Sequence, residues 1–253
     1  MAIKKETVTE VRHWSDKTFT FKTTRDNGFR FKNGEFAMMG IDRTDGKRVL
    51  RAYSMASANY EDHLEWLSIK ISDGLLTSEL QNIQVGDQVL INNKSTGTLV
   101  IDYLKPGRNL YLVATGTGLA PFLSIIRDFE TYEKFDRVIL THTVQKQDEL
   151  VYREFLEDYN STSPVTQDKF FYFNTLTQQE WPRQGRITNW FFDHKIEEHL
   201  QLEKYDHTQD KMMICGSQGL NSDLMDWLET AGAQEGNTST PGDFVIEKAF
   251  VQR

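Results

Sequence analysis

Several short stretches of the chain combine residue types at spacings that could do chemistry. "RAYSMAS", Arg51 to Ser57, offers a fixed cation, a phenol and hydroxyls within one short edge. In a strand, side chains alternate between faces, so Arg51 and Tyr53 point one way while Ala52 and Ser54 point the other. A guanidinium fork suits an anion and a flat phenol suits a planar heterocycle, although a lone strand tyrosine is also an ordinary barrel filler. "SDGLLTSEL" places Gly74 ahead of Thr77 and Ser78. These hydroxyls read either as an N-cap or as a second hold on the anion that Arg51 would meet.

"LYLVATGTGLAPF" is a buried strand, then Gly116 and Gly118, then a helix with Pro121 in its first turn. Glycines let a backbone approach a ligand closely, and a helix start presents unpaired N–H groups that favour a diphosphate. The third glycine of the usual dinucleotide fingerprint is replaced by Pro121, so a bland tight turn stays open as the other reading. Cys215 in "MMICGSQG" ends an apolar run; it is either a small buried hydrophobe or, at the carboxyl end of a strand, a ligand-facing residue. The six histidines show no metal-ligand spacing, so no metal is expected and they read as structural or surface groups.

The elements that must position these residues fall into two patterns. Up to about residue 104, "TFTFKTT", "RFKNGEFAMMGI", "RVLRAYSMAS", "HLEWLSIKI" and "DQVLINN" read as short strands separated by turn signals. Their alternation predicts an antiparallel β-barrel or sandwich. Beyond "DYLKPGRN", the runs "LYLVATGTG", "RVILTHTV", "KFFYFNT" and "KMMICGS" alternate with helix-like stretches such as "LAPFLSIIRDFETYEKF" and "NSDLMDWLETAG". That rhythm predicts a doubly wound parallel-sheet α/β domain. The expected division is 1–104 and 105–253, where Pro106 and Gly107 interrupt both patterns.

The 253 residues are 38% hydrophobic and 12% aromatic, values of a globular protein, with no apolar run near the roughly 18 residues of a membrane span. "MAIKKETVTE" lacks the apolar core of a secretory signal, and a single cysteine excludes an internal disulfide or an iron–sulfur cluster held by four cysteines of this chain. Expected are a cytoplasmic location, a monomer and no membrane association. A formal net charge of −8 argues against nucleic acid as a partner.

"RAYS", "GLLTS", "ATGTGLAPF", "ICGS" and the terminal "FVIEKAFVQR", in that order, resemble the bacterial ferredoxin (flavodoxin)-NADP reductases along essentially the whole chain, most closely the subgroup with a C-terminal Ala-Phe-Val extension. The resemblance implies an FAD-binding β-barrel, an NADP-binding α/β domain whose tail returns to the flavin, and ferredoxin or flavodoxin as transient one-electron partners. It assigns Arg51 to the FAD diphosphate, Tyr53 to stacking on the isoalloxazine with Ala52 beside it, and Ser54 to a hydrogen bond near flavin N5. Leu67, Ser68 and Ile69 would line the flavin rim, and Leu75, Leu76 and Thr77 the diphosphate.

The resemblance further implies that Thr115, Gly116, Thr117 and Gly118 meet the nicotinamide nucleotide, Thr117 also reaching FAD. Cys215, with Gly216, would sit beside the nicotinamide, and Glu247 would tune polarity there together with Ser54. Ala249 takes the place of the terminal tyrosine of plant-type relatives, and Phe250 would pack against FAD. Gln145 and Gln178 stand where close relatives carry arginines for the adenosine 2′-phosphate, while Arg186 matches a family arginine and Lys146 lies next to Gln145. Glutamine cannot replace a guanidinium's charge, so preference for NADPH over NADH rests on Arg186. Rival readings are the reductase component of an oxygenase, a free-flavin reductase, and a non-catalytic nucleotide-binding regulator. Lys47 and Arg48 are candidates for steering an acidic electron partner.

Overall fold

The computed structural model describes residues 3–166 and 168–248. In the first half, β1 (Ile3–His13), β2 (Thr18–Thr24), β3 (Phe36–Asp42), β4 (Arg48–Ser54), β5 (His63–Ile69) and β6 (Gln88–Thr96) form an antiparallel sheet in the order β4-β3-β6-β1-β2-β5. A bridge between Met55 and Trp66 joins its two edges and closes the barrel. Alternation drives the closure: Phe19, Phe21, Met39, Met55, Leu64, Trp66 and Val89 fill the interior. Between β5 and β6 lies a single helical turn, α1 (Thr77–Leu80).

"KNGE" makes the expected turn for a steric reason. Gly34 has φ +93°, and a Cβ there would lie 1.8 Å from the Leu99 carbonyl oxygen, so only glycine fits. Close by, the Asn33 carboxamide oxygen accepts from the Asn59 N–H (2.7 Å) and the Ser124 hydroxyl (2.8 Å). Its amide nitrogen donates to Asp128 (2.6 Å), which ties the barrel to the second half.

The second half contains α2 (Ala120–Ile126), α3 (Phe129–Lys134), α4 (Arg153–Glu157), α5 (Tyr159–Thr162), α6 (Ile187–Phe192), α7 (Lys195–Leu200) and α8 (Gln218–Thr230). They flank a parallel sheet of β7 (Asn109–Thr115), β8 (Arg137–Val144), β9 (Phe170–Leu176), β10 (Lys211–Gly216) and β11 (Phe244–Lys248), ordered β11-β10-β7-β8-β9. The strands are almost continuously buried, polar residues such as Thr141 and Asn174 included, because both faces are covered. Leu110, Leu112, Ala114, Val138, Leu140 and Met213 pack on one side; Tyr111, Val113, Ile139, Met212 and Ile214 pack on the other. Chain order reverses direction between β7 and β10, and ligands of such sheets bind outside the carboxyl ends at that switch. Among the described residues no helix is long and apolar enough to cross a membrane.

The single helix expected from "LAPFLSIIRDFETYEKF" is two, with α2 entered through a 3-10 turn over Gly116–Leu119. The break has a local cause: the Asp128 carboxylate caps α3 by accepting from the Glu130 N–H (3.0 Å). Arg127, at the break, turns toward the barrel. It donates to Glu65 of β5 (2.9 Å) and to the Ala56 carbonyl (2.7 Å). The other Glu65 oxygen accepts from the Tyr152 hydroxyl (2.7 Å). Both charged side chains are largely withdrawn from water, with 8% and 13% of Glu65 and Arg127 exposed.

Burial pushes the Glu65 carboxyl up, but Arg127 and the Tyr152 hydroxyl more than offset it and leave it below the usual carboxylate range. Arg127→Met would strand a buried carboxylate and is expected to cost about 3–5 kcal/mol, measured as a fall in the urea midpoint. Because the folded pKa is depressed, the pair's contribution is present above the unfolded carboxylate pKa and fades as pH falls. The deficit of the variant should therefore shrink in acid. A midpoint equal to the parent's would show that this pair does not join the halves.

Candidate active site

β4, β5, α1, the loop after β7 and the carboxyl ends of β8, β9 and β10 carry the residues singled out in the sequence. β4 pairs with β3 so that Tyr53 lies opposite Ala37 and Arg51 opposite Met39, both of which face the barrel interior. Tyr53 and Arg51 thus share a face, as alternation requires. Tyr53 is half-buried, its ring edge-on to Trp66 at 6.5 Å. Its hydroxyl lies 2.9 Å from the buried Ser68 hydroxyl, and burial raises the phenol's pKa, so the group stays a neutral hydrogen-bonding partner.

Neighbouring groups are left open. Arg51 and Ala52 are exposed, and the Arg51 guanidinium is hydrogen-bonded only to the adjacent Leu50 carbonyl (2.9 Å) among the described residues. Ser54 is half-buried and its hydroxyl makes no hydrogen bond among the described residues. Leu75 is 57% exposed, while Leu76 is buried in the barrel core.

The N-cap reading of Thr77 and Ser78 is corrected. The cap position of α1 is Leu76 with no side-chain bond, and the Thr77 hydroxyl donates back to the Ile71 carbonyl (3.1 Å). Gly74 sets this geometry, since a Cβ there would lie 2.1 Å from the Thr77 hydroxyl. The turn is fixed from outside by Arg43, which donates to Glu79 (3.0 Å) and to the Leu75 carbonyl (3.2 Å). Nothing in the sequence around Arg43 marks it for this role.

Facing the barrel is the loop after β7, where Gly116 is exposed and Thr117 half-buried. Gly116 has φ +54° with open space where a Cβ would be. Gly118 serves the packing of the sheet, because a Cβ there would sit 2.1 Å from the Cys215 carbonyl oxygen; glycine lets the ends of β7 and β10 touch. Thr115 is committed as well, its hydroxyl accepting the Ser217 N–H (2.8 Å) against Gly216. Beneath the loop the buried His142 donates from Nε2 to the Gly116 carbonyl (3.0 Å), and burial pulls its pKa down to about 4. A neutral imidazole is therefore what positions Gly116. Its place near the carboxyl end of β8 is the sequence signal that could have found it.

Loop and barrel enclose a cavity of about 230 Å³, lined by Leu67, Ile69, Lys70, Gly116, Thr117 and Val144 among others, with Lys17 and Glu149 also on its wall. Cys215 is buried, and burial followed by the charge of Glu247 pushes its thiol far up, so it is an uncharged, unreactive neighbour. Glu247 lies directly opposite it on β11. Its carboxylate accepts the Thr98 N–H (3.1 Å), while Thr98 also donates to the Ile246 carbonyl (2.7 Å).

Gln145 and Gln178 meet at the ends of β8 and β9 through a backbone bond of 3.0 Å. Arg186, exposed at the start of α6, follows a segment that bridges back to the last residue of β9. Lys146 is exposed beside them. Arg48 is paired with Asp42 (2.9 Å), so of the two steering candidates it is the less free. Ala249 and Phe250 lie outside the described residues.

A closed antiparallel barrel joined to a doubly wound sheet, with the junction between them open, defines a two-domain nucleotide-dependent oxidoreductase fold. Residues 4–99 match the family model for the oxidoreductase FAD-binding domain, and residues 112–225 that for the oxidoreductase NAD-binding domain. Over 249 residues the chain is 47% identical to ferredoxin–NADP reductase A of Sorangium cellulosum (strain So ce56), covering 97% of this chain and 89% of that one. It is 45% identical over 250 residues to the flavodoxin/ferredoxin–NADP reductase of Rhodobacter capsulatus, covering 97% of this chain and 93% of the relative. The crystal structure of a ferredoxin NADP+ reductase from Neisseria gonorrhoeae with bound FAD and NADP superposes with a TM-score of 0.90 at 29% identity, covering 99% of this chain and 100% of that chain. The chain belongs to the bacterial ferredoxin–NADP reductase family.

Burial pushes the Glu247 carboxyl up to about 7, against the pull of the Thr98 and Leu99 N–H groups. With its folded pKa above the unfolded one, folding is favoured by this group below the unfolded pKa, and that advantage is lost as pH rises through about 7. Glu247→Gln should therefore gain in melting temperature on the parent between about pH 5 and about pH 8. Parallel melting curves across that range would place the carboxylate in water instead.

Proposed function

We infer that this chain is an FAD-dependent reductase that exchanges electrons between NADP(H) and a ferredoxin or flavodoxin. The observation that carries the reading is a barrel with an uncommitted cation and hydroxyl on β4, joined across a shared cavity to an open glycine loop at the switch point of the parallel sheet. The residues fit FAD. Arg51 has only a neighbouring carbonyl as partner among the described residues, Ser54 has a free hydroxyl there, and Leu75 is 57% exposed, which together suit an anion, a polar ring edge and an apolar face.

In this reading Arg51 and the Leu75–Thr77 turn hold the diphosphate of FAD, and the Tyr53 ring, braced by Ser68 and Trp66, supports the isoalloxazine. Ala52, Leu67, Ser68, Ile69 and Thr117 border it, and Ser54 donates near N5. FAD, when bound, supplies the conversion between hydride transfer and single-electron transfer. Thr115, Gly116, Thr117, Gly118 and Gly216 shape the floor for the nicotinamide nucleotide. Gln145, Lys146 and Arg186 lie toward its adenosine end. Cys215 and Glu247 form the wall beside the nicotinamide, with Cys215 acting by shape and neutrality. The two walls would bring the ring systems into reacting geometry, a contribution of position rather than of acid–base chemistry.

We place the division between the FAD and NADP domains at 104/105 and read the protein as a cytoplasmic monomer. Support for the boundary comes from the first sheet ending at Thr96 and the second beginning at Asn109.

Purified protein should carry a flavin spectrum that bleaches anaerobically on adding NADPH; a colourless, unresponsive protein would contradict the reading. Arg51→Ala should weaken FAD binding by about 10- to 100-fold, since a charge-assisted hydrogen bond to the diphosphate is lost. The flavin-to-protein ratio after dialysis measures it, and a ratio equal to the parent's would remove Arg51 from the site.

A further inference from the structure

Lys17 lies on the loop between β1 and β2 of the barrel, yet its ammonium reaches across the junction. It donates to Gln145 Oε1 and to Glu149 Oε1, both at 2.9 Å. The two acceptors belong to the segment that leaves β8, and Lys17 and Glu149 line the cavity shared with Gly116 and Thr117. The pair is unequal: 52% of the lysine side chain is exposed against 14% of the glutamate. The carboxylate is the more enclosed partner, whereas the ammonium, on a flexible and half-exposed stem, is free to exchange one anion for another.

At the strand ends the cations on the sheet side are Lys146 and Arg186, both exposed. Gln145 and Gln178 are neutral, and a glutamine can offer a phosphate hydrogen bonds but no counter-charge. The only cation bonded to either glutamine side chain among the described residues is Lys17. We propose that Lys17 is a specificity-determining residue of the nucleotide site, supplying from the barrel the positive charge that Gln145 does not. This role rests on the chain being the reductase inferred above. In the absence of nucleotide, Glu149 holds the ammonium; when NADPH enters, the ammonium turns from the carboxylate to the 2′-phosphate, the stronger anion. NADH has no such group and leaves the Lys17–Glu149 pair intact. No proton moves in the exchange, and the glutamate competes with the phosphate for one cation.

The competition gives opposite signs to two substitutions. Lys17→Met should lower the ratio of kcat/KM for NADPH to that for NADH by about three- to tenfold, mainly through KM for NADPH; the contact is partly exposed and hence modest. Glu149→Gln should raise the same ratio, because Lys17 is then released without a rival anion. Both variants are measured as FAD-loaded holoenzyme by anaerobic reduction and steady-state kinetics, with bound-flavin absorbance as the check on folding.

An equal loss on NADPH and NADH in Lys17→Met would overturn the proposal in favour of a diphosphate contact, and an unchanged ratio in both variants would overturn it outright. If the parent holoenzyme is reduced by neither nucleotide, the reductase reading falls and the role of Lys17 falls with it. That outcome is separable, because it appears before any substitution is made.

Discussion

The junction that carries the site is pinned by a buried ion pair between two sheets that also share an apolar core. Glu65 comes from the closing strand of the barrel and Arg127 from the break between α2 and α3, and they meet across the junction rather than within either half. Such a pair is a poor source of net stability, since desolvation offsets most of its attraction. Its value is directional: a carboxylate that must meet a guanidinium and the Tyr152 hydroxyl at once permits one arrangement of the halves. The apolar contacts around it are compatible with that arrangement but less selective. Ala56, Leu67, Leu99, Ile101 and Leu104 join the same core as Leu112, Phe122 and Leu140.

Given that arrangement, the remaining groups sort by how free they are. Those already engaged, such as Thr115 with Ser217 and His142 with Gly116, shape the floor of the cleft. Those left open, Arg51, Ser54, Gly116 and Thr117, are the ones a ligand can meet. Cys215 and Glu247 are neighbours in the sheet, and burial disfavours the charged form of each. In the proposed reading this wall of low charge would stand beside the nicotinamide and suit hydride transfer, in which neither side chain has a proton to take.

Periodicity makes much of the fold legible. "TFTFKTT" and "RVILTHTV" are strands over the residues their patterns mark, although β2 is buried on both faces over its first four residues, more than its alternation implies. β1 is harder to see, since its exposed Lys and Glu residues blur the alternation. The break after Ile126 is only half legible: Asp128 is an N-cap residue type that could mark the start of α3, whereas Arg127 is a good helix former whose turn toward the barrel shows only in its distant partner Glu65. The site divides in the same way. Arg51 to Ser54 and Gly116 to Gly118 are local motifs, readable from the residues alone. Lys17 with Glu149, Arg127 with Glu65 and Arg43 with Glu79 are contacts between residues 132, 62 and 36 positions apart, which no local pattern encodes.

If the Glu65–Arg127 pair sets the geometry of the junction, removing both charges together should disturb the transfer of hydride to the flavin. The Glu65→Gln, Arg127→Met double variant isolates that effect, because neither charge is left stranded. In anaerobic stopped flow, with FAD retained, NADPH should bleach the bound flavin of this variant about tenfold or more slowly than that of the parent, the scale on which small misplacements of reacting groups act. Bleaching at the parent's rate would refute the directional role of the pair and leave the apolar core alone to align the halves.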